Sequence, residues 1–313
     1  MEKTMTAVTH SRPPVNDNMV DNIVALHCSL GSGQQWDRLI EACGDRYHAI
    51  APDILGYGEN PPYHNPAPPS GLDVEAEHLS GKLERLAGPL HLIGHSYGGS
   101  IAFKIATSGR YAHRVRSLTL IEPVLPAILL EEDADRPLYE LFARECAYIC
   151  SPIWSGEKDL ALRRFLTFWQ GPKYWDDLSP DRKGAFLTRT NKLAGEYSAV
   201  LGETGMGEAA RRLTVPTLLF SGGASPRYTQ QVVKRLSLIM QNVRHIHLPA
   251  AGHLLPITHA SEVNSKILQH IDATQSRAGV AQLPLAKSLY RGEPEARDQA
   301  DHGPLDKAHH GPF

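Results

Sequence analysis

The chain has 313 residues, with 32 Lys and Arg against 34 Asp and Glu and a formal net charge of −2. So even a balance gives no reason to expect nucleic acid or an anionic membrane as partner, and 42% hydrophobic with 21% charged residues is the composition of an ordinary globular protein. The length accommodates one large α/β domain with an added cap, and the four cysteines (Cys28, Cys43, Cys146, Cys150) read as reduced, packed thiols without the further ligands a zinc site needs.

Residues 1–20 are polar, carry Pro13-Pro14 and read as a flexible N-terminus; with no long apolar run they are not a secretory signal. No stretch approaches the ~20 apolar residues of a membrane span, so the expected location is the cytoplasm. The run Asn22 to His27 ends in a Gly/Ser loop and predicts a buried strand of a parallel sheet. Helical spacing follows from Trp36 to Cys43, then a second strand from Tyr47 to Ala51 and a Pro-rich loop over 60–71. An amphipathic helix is expected over 73–87, with Val74, Leu79, Leu83 and Leu86 on its inner side.

Leu90 to Gly94 is a third strand, running through Ser96 into a small-residue helix from Gly98 to Ser108. Further strands are predicted at Val115–Ile121, Val215–Phe220 and Val243–Leu248, with a last helix at 261–272 turning Val263, Ile267 and Ile271 inward. Strands alternating with helices imply an α/β fold: a mostly parallel sheet of about six strands with helices on both faces. The expected division is a core of 21–123 and 208–277, a helical cap insertion of 124–207 rich in aromatic residues, and a disordered tail of 278–313 whose removal should leave activity unchanged.

Gly94-His95-Ser96-Tyr97-Gly98-Gly99 fits G-x-S-x-G in the context that gives the pattern meaning, an apolar strand before it and a small-residue helix after it. A serine on so sharp a turn needs glycines on either side for clearance. The backbone N–H of Tyr97 then points toward the substrate oxygen at the positive end of the helix.

These residues resemble the nucleophile elbow of the α/β-hydrolase superfamily, in its HSxGG esterase/haloperoxidase-like branch. Leu26-His27-Cys28-Ser29-Leu30-Gly31-Ser32 is similar to the oxyanion loop, Ala51 to Gly58 to the strand–loop after it, and Ala251-Gly252-His253 to the histidine loop, in the expected order over roughly residues 22–275. The resemblance implies Ser96 as nucleophile, His253 as general base and a second oxyanion N–H from the 27–30 loop, with Ser29 favoured; His245 and His247, alternating within a strand, read as packed or surface residues. Cys28 stands where the family usually has glycine, and no histidine is placed to make it a nucleophile.

The acid departs from the family pattern. Ser225 occupies the usual Asp position, and no Asp or Glu occurs from Ala209 through Ala260. Glu122, directly after the strand next to the elbow strand, is the favoured replacement, and Asp53 is the second choice, more often a loop-holding residue in such folds. Phe168 and Trp169 are expected to line an apolar pocket.

The expected activity is acyl-enzyme hydrolysis of a small to medium carboxylic ester with an apolar part, a small-molecule substrate, with no metal or organic cofactor implied. Thioesters, lactones or a C–C bond beside a ketone would use the same residues. Two other classes stay open: cofactor-free oxygenation by the His–acid pair, in which Ser96 is dispensable, and non-catalytic ligand binding. The oligomeric state is not legible.

Overall fold

The computed structural model describes residues 20–281. Six strands, β1 (Asn22–Leu26), β2 (His48–Ile50), β3 (Leu90–His95), β4 (Val115–Ile121), β5 (Thr217–Gly222) and β6 (Val243–Leu248), form one parallel sheet in the order β2-β1-β3-β4-β5-β6. Register aligns Leu26 with Gly94, His95 with Ile121 and Ile121 with Phe220. The residues that follow each strand therefore emerge along one edge of the sheet. The chain leaves β1 toward β2, then crosses back over β1 to β3, so the strand order reverses at β1/β3. In open α/β sheets ligands bind in the crevice beyond the carboxyl ends of strands at such a reversal.

Alternation along the strands sorts the core onto two faces. Ile23, Ala25, Ile93, Ile121, Leu218 and Phe220 pack against α1 (Asp37–Cys43) and α12 (Ala260–Ala281), whose Val263, Ile267 and Ile271 are fully buried. Val24, Leu26, Leu90, Leu92, Leu118, Leu120 and Leu219 face α2 (Leu72–Arg85), α3 (Tyr97–Thr107) and α10 (Arg227–Ile239). Strands buried on both faces read as continuous apolar runs, the pattern seen in β1, β3 and β4.

Between β4 and β5 lies a helical insertion containing α4 (Arg136–Trp154), α5 (Lys158–Gln170), α6 (Pro172–Asp177), α7 (Pro180–Leu187) and α8 (Lys192–Gly202), followed by α9 (Met206–Arg212). After β6 a short α11 (Leu255–Thr258) leads into α12.

Three sequence expectations shift. Strand β5 starts at Thr217 because Pro216 has no N–H for the ladder, and it runs on through Ser221-Gly222 to pair with β6. The inner face of α2 is Leu72, Glu75, Leu79 and Leu83, with Val74 48% exposed, because a buried ion pair claims a core position. Helix α12 continues to Ala281, past both the expected end at 272 and the start of the expected tail. The stretch expected as a flexible N-terminus, but for its last residue, and most of the expected tail lie outside the described residues.

All four cysteines are free thiols. Burial lifts the Cys28 and Cys150 thiols to about 12, leaving them protonated at neutral pH. No helix among the described residues is long and apolar enough to cross a membrane.

Candidate active site

Ser96 sits between β3 and α3 with φ 56° and ψ −121°, a backbone conformation few side chains adopt. It is held there by close packing. A Cβ on Gly94 would lie 2.3 Å from the carbonyl oxygen of Gly98, and one on Gly98 would lie 2.4 Å from that of His27. The backbone N–H of Ser96 donates to the carbonyl of Ile121, and its own carbonyl accepts from Val124, tying the elbow to the chain that leaves β4. Strain of this kind, about 1–3 kcal/mol per residue, persists where the surroundings over-determine it.

His253 follows β6 and is 4% exposed, as is Ser96. The Ser96 hydroxyl lies 2.9 Å from His253 Nε2, and Glu122 Oε2 lies 2.6 Å from His253 Nδ1. An ionised carboxylate only accepts, so Nδ1 carries the proton and Nε2 faces the serine as acceptor. Glu122 is fully buried at φ 44°, and its Oε1 accepts the backbone N–H of Gly222 at 2.7 Å. That N–H belongs to the β5 end, three residues before Ser225. The loop without an acid thus supplies a donor to the acid of the neighbouring strand. Ser225 itself is buried with its hydroxyl unpartnered among the described residues. Asp53 accepts from the backbone N–H groups of Gly33 and Glu59, closing its own loop and tying it to the loop after β1.

Two further histidines hold backbone. His95 donates Nε2–H to the carbonyl of His253 at 2.8 Å, and burial keeps its pKa well below the ordinary value, so the ring is neutral. His27 donates Nδ1–H to the Cys28 carbonyl and accepts from Ile54, with burial lowering it to about 4. His245 and His247 lie on β6, both hydrogen-bonded to Ser221.

The N–H of Tyr97 opens α3, where no carbonyl of the same helix can reach it. Ser29 lines the cavity beside Ser96. Both residues are tied by side chain to a charged cluster behind the loop. The Tyr97 hydroxyl donates to Glu75 at 3.1 Å, and Glu75 pairs with Lys192 at the start of α8, the two being 1% and 2% exposed. Glu196, one turn on, is completely buried. Burial pushes its carboxyl up to about 7, against the pull of Lys192 and of a hydrogen bond from Ser29. Sequence reasoning missed this cluster; its signal was acids inside otherwise apolar helix faces.

A cavity of about 380 Å³ opens above Ser96 and His253. Its lining includes Phe165, Leu166 and Trp169 of α5, Tyr174 of α6, and Arg182, Ala185 and Phe186 of α7. Trp169 stacks on the His253 ring, centroids 4.3 Å apart and planes 26° apart, with its indole N–H donated to Tyr197. Phe168 is not among the lining residues: a single helical step turns it toward Phe142. Phe165, one turn before Trp169, takes the place expected of it. No group of three or more His, Cys, Asp or Glu residues among those described could hold a metal ion.

Chemically, the constellation can remove a proton from Ser96, carry it on His253 and return it to a leaving group. A family model described as "Alpha/beta hydrolase family" matches residues 23–266. The chain is 23% identical over 278 residues to a soluble epoxide hydrolase of Corynebacterium sp. strain C12, covering 80% of this chain and 93% of that protein. Among solved structures, MenH from S. aureus superposes with a TM-score of 0.66 at 20% identity, covering 83% and 96% of the two chains. A thermophilic esterase from Thermogutta terrifontis gives 0.60 at 19% identity, covering 82% and 91%.

Proposed function

The chain belongs to the alpha/beta hydrolase family, and from that premise we propose that it is a serine hydrolase that turns over a carboxylic ester through an acyl-enzyme. The single observation that carries this reading is the continuous hydrogen-bonded series from Ser96 through His253 to Glu122. His253 takes the Ser96 proton as the oxygen attacks the ester carbonyl, and Glu122 steadies the imidazolium. Trp169, stacked on the ring, offers a π-face to that cation and keeps water from it. The backbone N–H groups of Tyr97 and Ser29 receive the developing oxyanion. His253 then protonates the departing alcohol, activates a water, and the acid leaves. Residues 124–207 act as a cap, supplying the aromatic part of the substrate wall.

The epoxide hydrolase likeness does not extend to substrate in this reading. A serine that opened an epoxide would be left as an alkyl ether, with no carbonyl for water to attack. Thioesters, lactones and C–C bonds beside a ketone pass through the same acyl-enzyme. The Ser96–His253 hydrogen bond favours all of these over oxygenation, in which the serine would be a bystander.

A fluorophosphonate probe tests the nucleophile without a chosen substrate. The expected outcome is one label per chain, on the peptide containing Ser96, absent in Ser96→Ala. An unlabelled wild type would remove the serine-hydrolase reading.

A further inference from the structure

Helix α7 has no fully buried residue. Arg182, Ala185 and Phe186 of α7, and Arg189 in the turn that follows it, all line the cavity above Ser96. Phe186 and Leu187 rest partly buried against the core, while the same segment sets two arginines into the lining of the cavity that holds Ser96.

The charge there is uncompensated. No Asp or Glu lines the cavity, and neither arginine has a carboxylate within ion-pair distance among the described residues. One amino group of Arg189 donates to the carbonyls of Leu30 and Gly31, at 2.9 and 3.2 Å, which fixes the guanidinium against the loop that carries Ser29. A guanidinium has five N–H donors, so the fork keeps donors for a ligand. A second signal is independent of charge: Gln35 lines the same cavity, its Oε1 accepts from the Cys28 N–H, and its buried Nε2 has no partner among the described residues. The remaining wall is aromatic: Phe165, Trp169, Tyr174 and Phe186.

We infer that Arg182 and Arg189 form an anion subsite, and that the substrate is an ester carrying a second, free carboxylate at the far end of an apolar or ring-bearing segment. The inference rests on the hydrolase reading for the reacting bond, and on the cavity alone for the charge. Beside the four rings, a carboxylate here makes charge-assisted hydrogen bonds that a neutral isostere cannot replace.

The test compares p-nitrophenyl half-esters of adipic and suberic acids with their ω-amides, in wild type and in Arg182→Gln/Arg189→Gln. The readout is the ratio of kcat/KM for acid over amide, which divides out any general loss in the variant. Wild type should favour the carboxylate about ten-fold or more, the scale of one charge-assisted hydrogen bond. The double variant should bring the ratio close to one. In wild type the preference should also shrink as ionic strength rises from about 0.05 to 0.5 M. If both esters are hydrolysed by wild type at equal rates, the subsite is refuted while the hydrolase reading stands. If neither is hydrolysed, calorimetry with 4-phenylbutyrate and 4-phenylbutyramide decides the subsite separately. Tighter binding of the carboxylate, lost in the double variant, upholds it, and equal or absent binding overturns it.

Discussion

Glu122 reaches His253 from β4 because its longer side chain spans the extra distance and because Gly222 donates an N–H to its other oxygen. The resemblance to the α/β-hydrolase superfamily made this residue a candidate in the sequence: it implied an acid after the fifth strand, none occurs between Ala209 and Ala260, and the neighbouring strand is the other place where such folds carry one. Trp169 was legible as a cavity ring but not as a residue stacked on the base, since stacking depends on how α5 approaches β6. Phe168 shows the reverse failure. Adjacent aromatics on a helix diverge by about 100°, so a dense ring cluster in sequence is not a shared surface. Gln35 and His95 left no sequence signal, because each acts by holding a loop backbone group, Gln35 the nearby Cys28 N–H and His95 the distant His253 carbonyl.

At the scale of elements, strands buried on both faces were read almost to their ends, whereas on α2 the reading placed Leu79, Leu83 and Leu86 inward correctly but put Val74 where Glu75 lies. Apolar periodicity cannot register a core position filled by Glu75 paired with Lys192. That pair sets an expectation for stability. Lys192→Met leaves Glu75 buried without its cation and should cost about 3–5 kcal/mol in denaturant unfolding. Glu75→Leu/Lys192→Met should recover most of that loss, since a matched apolar pair carries no desolvation penalty. A double variant as unstable as the single one would show that the pair does more than cancel charge.

Glu196 gives the same cluster a pH dependence. Its carboxyl is raised in the folded state from the ordinary 4.5 to about 7. A raised carboxyl favours folding while protonated in both states, so its stability contribution is full below about pH 4.5 and is lost as pH rises through about 7. Glu196→Gln does not titrate. The unfolding free energy of the variant should therefore gain on that of wild type between pH 5 and pH 8, by parallel denaturant titrations. A difference constant over that range would place the Glu196 carboxyl at its ordinary value.

For the whole molecule, the reversal of strand order at β1/β3 brings together loops more than 200 residues apart in sequence, and the helical insertion closes over them. The alternation of strands and helices made the sheet and the insertion legible. The content of the cavity was not, because Arg182, Ala185 and Phe186 of α7 and Arg189 just beyond it carry no apolar periodicity that would mark them as lining a common space. Only assembled walls reveal a surplus of positive charge in a chain of near-zero net charge.

The relocated acid is the central claim, and ester hydrolysis by Glu122→Gln tests it most directly, with Ser96→Ala and Ser225→Ala measured beside it on short-chain p-nitrophenyl esters. The side-chain amide of that variant would face His253 Nδ1 and favour the tautomer with its proton on Nε2, which cannot accept from serine. By analogy with triad variants, kcat should fall about 10²-fold or more. Ser96→Ala should lose nearly all activity, and Ser225→Ala should keep it. Full activity in Glu122→Gln, or a collapse in Ser225→Ala, would contradict the assignment of Glu122 as the acid that steadies His253.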